Sequence, residues 1–350
     1  MTEKLTYLDY AASSPLRPEA LEAMRAYDEA PYAGANPNSL HTLGRLAARA
    51  LDGARVDLAR ALGGGFRPSD VTFTSGGTES NNLALLGIAE GVRARSSRRR
   101  RVVVSAIEHD SVLDLVGPLR ERGFEVDLVR PDRSGIVGAA ALAPLLDETC
   151  ALVSVMYANN ETGVIQPVSE LARAAHAAGA LFHTDAVQAF GHVRLDLGDV
   201  DAASVAAHKI GGPVGVGALA LRGRVPLRPQ SFGGGQEVGR RAGTQDVRGA
   251  LAFAAAAGVH ASLGPGRGAS SPGGATALRA PLRSGDRHRG DRHCLGRRGA
   301  PPRHRERLGA RARLRDLVSP STRPDSRFPA ASACSSGSFD ASHAFSPWAS

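Results

Sequence analysis

ALVSVMY (151–157), VSELARAAHAA (168–178) and ALFHTD (180–185) follow one another in the chain, and their order decides the fold. The first and third are short, apolar and β-branched, as strands buried on both faces should be. In the middle stretch Val168, Leu171, Ala174 and Ala175 recur at spacings of three and four, which gives a helix one apolar face. Gly179 is placed to stop that helix. Working outward, VTFTS (71–75), RVVVSAI (101–107), EVDLV (125–129) and VGALALR (216–222) read as further strands. Helical stretches are expected at 79–92, 111–122 and 139–146. The alternation predicts an α/β chain with a mostly parallel sheet flanked by helices, whose ligands lie beyond the carboxyl ends of the strands.

The chain has 350 residues, enough for one large and one smaller domain with a sizeable core. Three cysteines make no disulfide framework, so a reducing, cytoplasmic setting is expected. MTEKLTYLDYAAS lacks the basic-then-apolar pattern of a signal peptide, and the longest apolar run, at 250–259, is too short to cross a bilayer. The net charge of +9 would ordinarily suggest nucleic acid. Its location argues otherwise. Residues 262–330 hold 16 of the 43 basic residues and 5 of the 34 acidic ones, a net of +11 that leaves −2 for the rest. Only two basic residues are lysines, Lys4 and Lys209, so chemistry that needs an amine has almost no choice of residue.

The unusual polar residues fall after the strands. TSGGTESNN (74–82) joins a strand to a helix opened by Thr78 and Glu79. Its glycines and free first-turn amides suit a phosphate, though alone it also reads as an ordinary capped turn. In HTDAVQ (183–188) Asp185 ends a strand, where a carboxylate needs solvent, a helix to cap or a cationic partner. In AAHKIGGPVGVG (206–217) Lys209 lies at the same edge and invites a Schiff-base role. His109, in IEHDS, and Asn160, in ANNETG, follow two other strands. Cys334, in ASACSSGSFDASH (331–343), has Ser and Gly flanks typical of an exposed loop; Cys150 has apolar flanks and is expected to pack in the core.

Taken together, these segments resemble the cysteine desulfurases, pyridoxal-phosphate enzymes of the class V aminotransferase group. The resemblance is carried in order by YLDYAA (7–12), NPNSLH (36–41), TSGGTESNN, ANNETGVIQP (158–167), HTDAVQ, AAHKIGGPVGVG, SFGGGQE (231–237) and RAGTQDVRGA (241–250). SACSSGS (332–338) is similar to the nitrogen-fixation and iron–sulfur-assembly branch, which bears its cysteine on a long loop.

The resemblance implies an aspartate-aminotransferase-like transferase fold and a homodimer. It implies a segment at 1–14 that packs with the small domain, a large cofactor domain at 15–260 and a small domain at 261–350. Lys209 would hold pyridoxal 5'-phosphate covalently, and Asp185 would pair with its ring nitrogen. Gln188 and Asn160 would bond the ring's oxygen side, and His109 would stack on the ring and transfer protons. Gly77, Thr78 and His208 would cradle the phosphate, with Thr244 reaching in from a partner subunit. L-cysteine would be converted to alanine, leaving a persulfide on Cys334 for an acceptor or iron–sulfur scaffold protein. Neither nucleic acid nor membrane is an expected partner.

The chain departs from this pattern in four places. Ala206 stands where the family usually has a phosphate-binding serine, and Gln245-Asp246 replaces the commoner Glu-Asn pair. Residues 262–330 carry no periodicity where the family has a packed small domain, yet the spacing from Thr244 to Cys334 is kept. A restored shift of reading frame keeps spacing while scrambling residues; a basic segment without fixed structure is the other reading. No residue matches the family's substrate-carboxylate arginine. The alternatives left open are another class V enzyme such as a selenocysteine lyase or aminotransferase, a cofactor-binding remnant without activity, and an acidic-partner binder built on the Arg-rich segment.

Overall fold

The computed structural model describes residues 6–262. The expectations for the basic segment and for the loop bearing Cys334 lie outside the described residues. Seven strands form one sheet: β1 (Val71–Thr74), β2 (Arg101–Ser105), β3 (Glu125–Val129), β4 (Cys150–Ser154), β5 (Leu181–Asp185), β6 (Ala202–Ala206) and β7 (Gly217–Leu221). Their order is β1-β7-β6-β5-β4-β2-β3. The pairs from β6 across to β3 are parallel, while β7 runs antiparallel to both its neighbours. The sheet is therefore mixed and mostly parallel, as the alternation implied.

Period-two alternation sends neighbouring side chains to opposite faces, and each face has its own core. Val103, Val153, Phe182, Ala203 and Ala218 enter one core; Val102, Val104, Leu152, Ala202 and Leu219 enter the other. The first face is covered by α2 (Thr42–Leu62), α7 (Val168–Ala177) and α8 (Val247–Ser262), with α1 (Pro18–Asp28) packed on α8. The second is covered by α3 (Gly77–Arg95), buried on nearly every side, and by the short α4 (Asp110–Leu113) and α5 (Val116–Glu121). The remaining helix, α6 (Ala139–Leu142), runs on into a tight turn at Ala143–Leu145.

Two expected helices come out differently. The stretch 111–122 is not one helix: it breaks between α4 and α5. Pro118 in an unbroken helix would lack the N–H owed to Asp114 and would crowd that carbonyl. In the stretch 139–146 the last turn tightens around Pro144. In α7 the fully buried positions are Val168, Leu171, Ala172 and Ala175, with Ala174 at the margin of the core. Gly179 ends it with φ +74°, as expected of a left-handed stop. Cys150 is fully buried, and burial pushes its thiol up to about 12, so it packs rather than reacts.

Candidate active site

The carboxyl ends of β2, β4, β5 and β6 point to one edge, and the polar residues singled out above gather there. Asp185 is the last residue of β5 and is only 5% exposed. Its Oδ1 accepts the Val187 N–H at 2.9 Å, and its Oδ2 accepts Nδ2–H of Asn81, on α3, at 2.6 Å. Burial still raises its pKa against those two bonds, while His109 and Lys209 lie close enough for their charges to pull it down. A buried carboxylate held by two neutral donors and facing two basic residues is suited to a cation.

Lys209 follows β6 in a turn, Ala207–Ile210, that Gly211 closes with φ +81°. Its side chain is 8% exposed, and Nζ donates to the Ala11 carbonyl at 2.7 Å. The backbone around it is pinned from outside: Ser14 Oγ donates to the Lys209 carbonyl, and Arg17 Nε donates to the Ile210 carbonyl. The neighbouring His208 is half-buried, and burial followed by the Lys209 charge lowers its pKa.

His109 caps α4. The Ser111 N–H donates to its Nδ1 at 3.0 Å, so that nitrogen is an acceptor and the neutral ring carries its proton on Nε2. Gln188 lies three residues after Asp185, with Oε1 buried and unbonded among the described residues. Asn160 is partly buried in the turn after β4; the Asn159 side chain holds that turn, accepting from the Glu161 and Thr162 amides.

The turn between β1 and α3 completes the edge. In α3 the first-turn amides of Gly77, Thr78 and Glu79 have no carbonyl of the preceding turn to bond. Small residues are required here. A Cβ on Gly77 would come within 2.7 Å of Val187 Cγ2, and one on Gly217 within 2.6 Å of the Gly76 backbone. Thr78 is exposed at this turn, and Ala206 is buried beneath it. Arg241 pairs with Glu79 at 2.8 Å, which ties the loop after β7 to the start of α3. Thr244, on that loop, is exposed, and no hydrogen bond joins it to the other site residues.

Sequence reasoning passed over three members of this edge: Asn81, Ser111 and Glu108. Asn81 and Ser111 lie inside the quoted motifs, and the available signal was a polar side chain four residues into a helix whose buried positions are mostly apolar. Glu108 precedes His109, is fully buried, and accepts from Ser105 Oγ at 2.6 Å and from the Met156 N–H. Burial, helped by the nearby Asp185 charge, pushes its carboxyl up to about 8. Among the described residues no group of His, Cys, Asp and Glu could hold a metal ion. No described helix is long and apolar enough to cross a membrane.

The family profile of the aminotransferase class-V proteins matches residues 6–266. The chain belongs to the class-V aminotransferases. Among the curated class-V aminotransferases, it is 46% identical over 258 residues to an IscS-like cysteine desulfurase of Mycobacterium tuberculosis, an alignment covering 72% of this chain and 64% of that protein. The chain thus spans less than two thirds of that relative's length. Two solved structures are also similar. A NifS-like protein is 39% identical with a TM-score of 0.69, covering 74% of this chain and 70% of its own. A structure described as SspA in complex with cysteine is 35% identical with a TM-score of 0.67, covering 72% of each chain. The fold is that of these class-V neighbours.

Proposed function

We propose that the protein is a cysteine desulfurase that works with pyridoxal 5'-phosphate on L-cysteine, yielding alanine and a persulfide on Cys334. The observation that carries the reading is the buried Asp185 carboxylate, placed at the strand ends with Lys209, His109 and the α3 N-terminus. The residues fit the cofactor: a buried acid for a ring cation, an amine, free helix-start amides for a phosphate, and the unbonded Gln188 Oε1 for a polar edge.

When bound, the cofactor supplies an electron sink for the carbanion formed at the substrate's α-carbon. The rest is the work of this chain. Lys209 would hold the cofactor, and its amine would take the α-proton. Asp185 keeps the ring nitrogen protonated. His109, with its proton on Nε2, would stack on the ring and pass protons. Gln188 and Asn160 orient the oxygen side. Gly77, Thr78 and His208 hold the phosphate, with Thr244 supplied by a second copy in a homodimer. Cys334, as the thiolate, accepts the sulfur and passes it to an acceptor or iron–sulfur scaffold protein. A large domain at 15–260 and a small domain at 261–350, in a cytoplasmic protein, complete the reading.

The test is the purified full chain, titrated with pyridoxal 5'-phosphate and assayed for alanine from L-cysteine, beside Lys209→Ala and Cys334→Ala. The expected result is a visible absorbance band that Lys209→Ala loses, and alanine formation that both variants lose. No band at all would sink the cofactor claim. A normal band without alanine would instead identify a cofactor-binding chain that has lost the desulfurase step.

A further inference from the structure

Four side chains at the sheet edge are joined in series. Asp185 Oδ2 accepts one amide hydrogen of Asn81 at 2.6 Å, and Ser111 Oγ accepts the other at 2.9 Å. Ser111 Oγ in turn lies 2.9 Å from Nδ1 of His109. The directions of these bonds are fixed by chemistry. An ionised carboxylate only accepts, so the Asn81 amide must present its NH2 group to Asp185; turning it over would set oxygen against oxygen. Ser111 Oγ, already accepting from Asn81, has its own hydrogen left for His109. Nδ1 takes that hydrogen as well as the one from the Ser111 backbone N–H.

The cost of this arrangement is visible at Asn81. The side chain is fully buried, and its Oδ1 has no hydrogen-bond partner among the described residues. An apolar side chain of this size would leave no such atom stranded, and the rest of the core-facing side of α3 is mostly apolar. The two hydrogens of Asn81 are therefore what the position supplies.

We propose that Asn81 is a positioning residue, which by dividing its two amide hydrogens between Asp185 and Ser111 sets the His109 ring in register with the Asp185 carboxylate. It touches neither substrate nor cofactor in this role. It acts through Asp185 at one end and through Ser111 and His109 at the other. The consequence at Asp185 rests on the cofactor reading above; the His109 half stands without it.

The experiment uses the full chain labelled with 15N-histidine, the His109 signals being assigned by their loss in His109→Gln. Spectra are taken at a pH where the ring is neutral. Asn81→Leu and Ser111→Ala should each move the Nδ1 resonance towards that of an unbonded ring nitrogen. The double variant should move it no further than Ser111→Ala does, because both changes cut one relay. The pyridoxal 5'-phosphate dissociation constant supplies the second readout. It should rise about 10-fold in Asn81→Leu, which strips a donor from a charged group, and much less in Ser111→Ala. An unchanged Nδ1 signal in Asn81→Leu, or shifts that add in the double variant, would overturn the relay. Ser111→Ala removes only one oxygen, so it keeps the test decisive if Asn81→Leu does not fold. Failure of the cofactor reading would show separately, as no binding by any form while the Nδ1 shifts persist.

Discussion

At the scale of single residues, two buried titratable groups beneath the site pull stability in opposite directions with pH. His183 on β5 lies between Ser154 Oγ and Ser204 Oγ, and burial pushes its pKa down to about 3. Glu108 is pushed up to about 8. A depressed histidine contributes stability that is present above its ordinary pKa of 6.5 and is lost as pH falls towards about 3. A raised carboxyl contributes stability that is complete below its ordinary 4.5 and is lost as pH rises through about 8. Between roughly pH 4.5 and 6.5 the two slopes cancel, and above that window the Glu108 loss stands alone. Glu108→Gln keeps an oxygen for Ser105 and Met156 but cannot ionise. Urea unfolding at pH 6 and pH 8 should show a fall for the parent chain that Glu108→Gln lacks. The full amplitude for one such group is on the order of 5 kcal/mol, spread over the whole interval. An equal fall in both proteins would mean that Glu108 is not the group titrating.

At the scale of elements, the site depends on how closely α3 starts against its neighbours. Gly77→Ala would drive a methyl to within 2.7 Å of Val187 Cγ2. Overpacking of this kind costs about 1–3 kcal/mol, so the variant should lose thermal stability and cofactor affinity together. Val187→Ala on the same chain makes room and should restore much of both; no rescue would place the defect elsewhere. Ala206→Ser tests the opposite sign, since it adds a hydroxyl under the same turn. If the turn holds a phosphate, one bond to a charged group should tighten cofactor binding about 10-fold, as read by absorbance titration. Much of this layout was legible beforehand. The apolar runs gave six strands to within three residues at either end, because strands that are mostly buried leave little else in the sequence. AASVA in β6 was not among the strands read from the sequence, since alanine has no β-branch to announce it. The helices α1 and α2, rich in Ala with scattered charged residues, carried no motif and were passed over. Asp185, Lys209 and His109 stood out through position and scarcity. Asn81, Ser111 and Glu108 did not, because their meaning lies in bonds between separate segments that no spacing records.

At the scale of the whole molecule, the loop after β7 is held firmly yet presents its apolar residues to solvent. Glu237 and Val238 both adopt left-handed backbone, with φ of +52° and +57°. The fully buried Glu237 carboxylate accepts from Arg55 on α2 and from the Phe73 N–H on β1. An ion pair bonded this way anchors the loop, because removing either partner strands a buried charge at a cost of about 3–5 kcal/mol. Around the anchor, Phe232 and Val238 are 86% and 87% exposed, and Thr244 is exposed as well. A rigid loop with apolar tips is a surface suited to a second copy, and the reading above has Thr244 serving that copy's phosphate. Mixing two damaged chains tests this directly. Thr244→Asp sets a carboxylate against the phosphate, and Lys209→Ala removes the amine, so each homodimer should lack a normal cofactor band. In a hybrid dimer, one site combines the intact Lys209 of the first chain with the intact Thr244 of the second. Co-refolding the two should therefore restore the band in up to half the sites of the hybrids, measured by absorbance on hybrid dimers isolated through a different affinity tag on each chain. If Thr244 serves its own chain, every site in the mixture carries one defect, and no band returns.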